Sequence, residues 1–132
     1  MAFGTHVISE LSECKNIHYY DNLKNLKRMM QDCVKQAGLT CLKVHAHKFE
    51  PQGISGVAIL QESHLSAHIW PEKRYVALDV YTCGIENESR AYKAAEIFAE
   101  SMGARVVKQY SKHRGLLNSK CGLYEAKDVE NL

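Results

Sequence analysis

The sequence predicts an α+β fold, a two-layer sandwich in which a mainly antiparallel sheet carries two helices on one face. Three observations predict it. Strand-like and helix-like stretches follow one another in the order β-α-β-β-β-β-α-β. The four middle strands are joined by turns too short for a crossover, and short turns make antiparallel neighbours. Only two stretches repeat their apolar residues at helical spacing, and two helices suffice to cover one face of such a sheet.

The elements follow in order. "GTHVISELSEC", residues 4–14, alternates apolar and polar residues with β-branched types and reads as a first strand. Leu23, Leu26, Met29, Met30, Cys33, Val34 and Ala37 then recur at spacings of three and four, one face of a helix. Asp21 or Asn22 can cap its start and Gly38 can end it. "TCLKVHAHKF" alternates again, with Leu42, Val44 and Ala46 on the apolar side and Lys43, His45 and His47 on the other. Pro51 and Gly53 punctuate a turn. "GVAILQE", residues 56–62, and "HLSAHIW", residues 64–70, read as two strands in close succession. "WPEKR" is a turn, and "YVALDVYTC", residues 75–83, is apolar enough to be a central strand, ended by Gly84. Tyr92, Ala95, Phe98, Ala99 and Met102 place a second helix over residues 89–102, ended by Gly103. "ARVVKQYSK", residues 104–112, is the last strand, and the tail from Arg114 carries weak signals.

The whole is one domain of 132 residues, 45% apolar and 24% charged, which can bury a core without a metal or disulfide. A net charge of +2, with no block of lysines, argues against a nucleic-acid partner. No apolar run approaches the ~18 residues of a membrane span. "MAFGTHVISE" lacks a basic region followed by an apolar one, so no secretory leader is expected and the cytoplasm is the expected location. Cys14, Cys33, Cys41, Cys83 and Cys121 are odd in number and widely spaced, with no C-x-x-C, which fits free thiols in a reducing compartment.

The chemistry concentrates in "ILQESHLSAHIWPE", residues 59–72, where one strand carries His64, Ser66, His68 and Trp70. Three readings compete. A metal site could use His45 and His47, about 7 Å apart on a strand, but His64 and His68 would lie about 13 Å apart. A serine hydrolase could pair Ser63 with His68, but no G-x-S-x-G surrounds the serine. Third, Ser63 follows Glu62 at a sharp turn, so its hydroxyl could attack the Glu62 carbonyl, with His68 handling the proton and Ser55 assisting. Elimination and hydrolysis would then leave a pyruvoyl group.

Residues 49–84 closely resemble the prokaryotic S-adenosylmethionine decarboxylase proenzymes, pyruvoyl-dependent enzymes of polyamine synthesis. The resemblance rests on Gly53-Ile54-Ser55-Gly56, Glu62-Ser63-His64-Leu65, His68-Ile69-Trp70-Pro71-Glu72 and Thr82-Cys83-Gly84. "GTHVISELSEC" is similar to the family's opening strand. Ser66, Ala67, Ile69 and Tyr81 depart from the residue types usual in the family, and none removes a reactive group.

The resemblance implies one decarboxylase domain over residues 1–132, self-cleaved between Glu62 and Ser63 into a β chain (1–62) and an α chain (63–132). It implies a pyruvoyl cofactor made from Ser63, His68 and Ser55 as processing residues, and Cys83 as proton donor. A buried Cys83 thiol would keep its proton, which suits that role. Phe49 and Trp70 offer aromatic faces to a sulfonium and an adenine, and Glu72 an acceptor for ribose hydroxyls. The partners implied are S-adenosylmethionine and a second copy, as an (αβ)2 dimer with sites between protomers. The reaction would supply the aminopropyl donor for spermidine. No metal site is assigned. The same machinery acting on arginine or ornithine is one alternative, and a non-catalytic metal- or ligand-binding protein is another.

Overall fold

The computed structural model describes residues 4–115. Six strands form one antiparallel sheet in the order β2-β3-β4-β5-β1-β6. They are β1 Gly4–Ser12, β2 Cys41–Lys48, β3 Ile54–Leu60, β4 Ser63–Trp70, β5 Tyr75–Cys83 and β6 Val106–Arg114. Three helices accompany them: α1 Ile17–Tyr20, α2 Leu23–Gln36 and α3 Glu88–Met102. The α+β sandwich expected from the sequence is therefore present, with the apolar β5 central between β4 and β1. The short α1 was not foreseen, because a single turn has no periodicity to detect. Cys121 and most of the tail lie outside the described residues.

The helices end where their cap residues dictate. The Asn22 side chain accepts from the Asn25 N–H at 3.0 Å and starts α2. Gly38, at φ 83°, closes it: its N–H donates to Lys35, and that of Leu39 donates to Val34.

The core lies between the helices and one sheet face. Ile54, Ala58 and Leu60 of β3, Leu65, Ala67 and Ile69 of β4, and Val76, Leu78 and Val80 of β5 are buried there with Leu26, Met30, Val34 and Phe98. Gly56 lets α2 approach closely, since a Cβ there would stand 2.9 Å from Met30 Sδ. Cys14 and Cys33 are buried as small apolar residues.

One inward-facing residue is not where its pattern put it. The register shifts between Cys41 and Lys43, so Leu42 sits at a bulge and is 62% exposed. Among the described residues no helix lies on the opposite sheet face. His64, Ser66, His68 and Trp70 of β4, by alternation with the buried set, belong to that open face, as do Val57, Ile59 and Tyr110. No helix among the described residues is long and apolar enough to cross a membrane.

Candidate active site

The hairpin joining β3 to β4 has a two-residue turn, Gln61–Glu62, closed by the pair Leu60 and Ser63. Short hairpin turns favour positive φ within the turn itself. Here the positive φ falls on Ser63, at 154°, a conformation that a residue with a side chain adopts only under strain. Glu62 is clamped from two sides. Its carbonyl oxygen accepts from the Cys83 N–H at 2.8 Å, and its carboxylate accepts from the Thr40 N–H at 3.0 Å. The Ser63 hydroxyl lies 3.5 Å from His64 Nδ1, and Ser63 pairs in register with Thr82, next to Cys83.

The end of β5 is anchored in turn by Asn87. Its side-chain amide donates to the Cys83 carbonyl at 2.9 Å, and its own carbonyl accepts from the Thr82 hydroxyl at 3.2 Å. Cys83 itself is exposed in the single chain, so the burial expected for it is not supplied there. It is the last residue of β5 and by alternation falls on the open face with Asp79 and Tyr81.

A second cluster lies at the other end of the same hairpin. Phe49, Ser55, His68, Trp70 and Glu72 line a cavity of about 290 Å3, together with Gly53 and Ile54. Ser55 and His68 face one another across β3 and β4, with the serine hydroxyl 2.7 Å from His68 Nδ1. Trp70 stacks on Tyr75 at 5.5 Å between ring centroids, and His47 meets Phe49 edge-on at 4.7 Å.

The structure thus gathers the predicted residues into two groups rather than one. Glu62, Ser63 and Cys83 stand at one end; Phe49, Ser55, His68, Trp70 and Glu72 stand at the other. His68 is five residues along β4 from Ser63, about 17 Å at the usual strand rise. Within one chain His68 therefore does not reach Ser63, contrary to the expectation that the two adjoin. The imidazole that does approach Ser63 is His64, which the sequence reading passed over as part of the motif. Asn87 was also missed; its only signal is its place three residues beyond Gly84 in the loop after the strand. No group of three or more His, Cys, Asp or Glu side chains poised to hold a metal occurs among the described residues.

Comparison with known proteins gives a consistent picture. Residues 5–115 match the S-adenosylmethionine decarboxylase family. A Thermodesulfovibrio yellowstonii protein named S-adenosylmethionine decarboxylase proenzyme is 37% identical over 117 residues, 89% of this chain and 84% of its own length. A Prochlorococcus marinus protein of the same name is 41% identical over 102 residues, 77% of this chain and 79% of its own. A Methanococcus maripaludis protein of that name is 51% identical over 81 residues, a stretch spanning 61% of this chain and 66% of that relative, just under two thirds. The crystal structure of the adenosylmethionine decarboxylase from Aquifex aeolicus superposes with a TM-score of 0.78 at 29% identity, covering 92% of this chain and 98% of that one.

Proposed function

Because the chain belongs to the S-adenosylmethionine decarboxylase family, we propose that it splits itself between Glu62 and Ser63 and then decarboxylates S-adenosylmethionine with a pyruvoyl group made from Ser63. The observation that carries this is the strained Ser63, at φ 154°, beside a Glu62 carbonyl that already accepts a backbone hydrogen bond from Cys83.

The chemistry follows from those atoms. Ser63 Oγ attacks the Glu62 carbonyl carbon and loses its proton to a base. Negative charge grows on the Glu62 oxygen, where the Cys83 N–H points, as in an oxyanion hole. The Glu62–Ser63 C–N bond then breaks, leaving an ester and a free amine on residue 63. Loss of the α-proton and of the Cβ–O bond releases Glu62 as the carboxyl end of the β chain and leaves dehydroalanine at 63. Water replaces its nitrogen, which departs as ammonia, and a keto group remains. The residues present therefore fit a pyruvoyl group at 63. When formed, that group supplies an electron sink for the carbanion left by loss of CO2.

The other residues take supporting roles. The Cys83 thiol, beside the rung of Ser63, is the donor that returns a proton to the substrate carbon. Phe49 and Trp70 offer π faces to the sulfonium and adenine, and Glu72 accepts from ribose hydroxyls. The same cavity holds the Ser55–His68 pair. A second copy, laid over the open sheet face about a two-fold axis, brings one protomer's Ser63 beside its partner's His68 and Ser55. That (αβ)2 dimer also covers Val57, Ile59 and Tyr110, which are 38%, 44% and 58% exposed in the single chain. The reading places the domain over residues 1–132 and the enzyme in the cytoplasm, supplying the aminopropyl donor for spermidine.

The test is direct. Purified protein is followed by intact mass, then assayed for release of CO2 from S-adenosylmethionine, arginine and ornithine. Two fragments, 1–62 and 63–132, with release from S-adenosylmethionine are expected. A chain that stays whole overturns the self-cleavage, and release from arginine or ornithine alone overturns the substrate.

A further inference from the structure

Asn87 stands at the position that starts α3, where an asparagine side chain ordinarily accepts from an N–H of the first helical turn. It does not do so here. Although only 6% exposed, it spends its polar groups on the strand end behind it. Its amide donates to the Cys83 carbonyl at 2.9 Å, its backbone N–H donates to Gly84 at 3.1 Å, and its carbonyl accepts from the Thr82 hydroxyl at 3.2 Å. Its remaining acceptor, Oδ1, takes a hydrogen bond from Arg90 at 2.8 Å, one turn along the helix. Three consecutive residues, Thr82, Cys83 and Gly84, are thus tied to a single side chain and its backbone.

The middle one, Cys83, is the residue whose N–H holds the Glu62 carbonyl at 2.8 Å. A continuous line of hydrogen bonds therefore runs from Arg90 through Asn87 and the Cys83 peptide groups to the bond proposed to break. We propose that Asn87, backed by Arg90, is a positioning residue that aims the Cys83 N–H at the Glu62 carbonyl and so sets the rate of self-cleavage. It touches no reacting atom. It acts by removing the freedom of the Cys83 backbone, so that the donor is in place before charge develops on the carbonyl oxygen. The inference rests on the self-cleavage proposed above.

Asn87→Asp separates this role from a purely structural one. The two side chains have the same shape, and aspartate keeps an acceptor for Arg90 and is as good a helix starter. It loses the amide donor to the Cys83 carbonyl and sets a carboxylate oxygen against that carbonyl instead, so the tie is broken rather than loosened. Freshly made wild-type and variant chains are followed by intact mass to time the appearance of the 1–62 fragment. Thermal unfolding and hydrogen exchange at the Cys83 amide are measured on each in a Ser63→Ala background, which stays whole. Splitting about fivefold slower or more, the scale of one lost hydrogen bond, is expected with unfolding little changed and faster exchange at Cys83. Wild-type splitting in Asn87→Asp overturns the proposal. Should that variant fold poorly, Arg90→Met decides the matter, since Arg90 is exposed: slower splitting supports the positioning role and an unchanged rate overturns it. If the wild-type chain itself never splits, the failure belongs to the proposed function instead.

Discussion

The backbone N–H of Cys83 donates to the carbonyl oxygen of Glu62 at 2.8 Å, joining the end of β5 to the turn between β3 and β4. One residue thus serves two ends. Its backbone faces the bond proposed to break, and its thiol is the proton donor proposed for the later step. These roles come apart under mutation, because an alanine keeps the N–H and loses only the sulfur.

Cys83→Ala is accordingly expected to split at close to the wild-type rate and to release CO2 at least about 100-fold more slowly, the lower range for loss of a general acid. Ser63→Ala is expected to remain one full-length chain. Intact mass and a CO2 assay check both. A Ser63→Ala chain that still breaks between residues 62 and 63 removes Ser63 as the nucleophile.

The separation of His68 from Ser63 along β4 predicts complementation between chains. Alone, Ser63→Ala should stay whole and His68→Ala should split poorly. Co-produced, they form mixed dimers in which one of the two sites has both groups. Random pairing puts half the molecules in mixed dimers with one repaired site in two, so splitting of about a quarter of all sites is expected. No gain over the separate variants would mean that His68 does not act across an interface.

The two aromatics of the cavity should govern affinity rather than maturation. Trp70→Ala and Phe49→Ala are each expected to raise KM for S-adenosylmethionine about tenfold, the value of one stacked or cation–π contact. The time course of splitting should change far less than in His68→Ala, since neither aromatic carries a proton in that step. A variant with normal KM would mark its aromatic as a packing residue only.

Buried Cys33 predicts a loss of stability in alkali. Burial pushes its thiol up to about 12 from the ordinary 9.0. Below pH 9 the folded and unfolded chains both hold this proton, so the contribution is complete there. Above that pH the unfolded thiol ionises while the folded one resists until about 12. Stability is therefore lost as pH rises through that interval. Urea midpoints from about pH 8 to 11 should fall, and Cys33→Ala, weaker at neutral pH, should fall less steeply. Parallel slopes would assign the loss to other groups.

Much of this was legible in the chain itself. Alternation in β1 and β2, the apolar run of β5 and the helical stripes of α2 and α3 named the fold, because apolar pattern reports which faces are buried. Glu62-Ser63, Cys83 and the Ser55, His68, Trp70 and Glu72 set were also readable as residue types in order. Three things were not. The bulge at Leu42 breaks the period that the reading relied on. The strained φ of Ser63 depends on how β3 and β5 hold both sides of the turn, and no local pattern encodes it. The split of the site into two ends, and the Asn87 tie between α3 and β5, arise because hydrogen-bonded register places residues that sequence distance cannot. The residues supply the reactive groups, but their distances and orientations exist only once the sheet has closed around them.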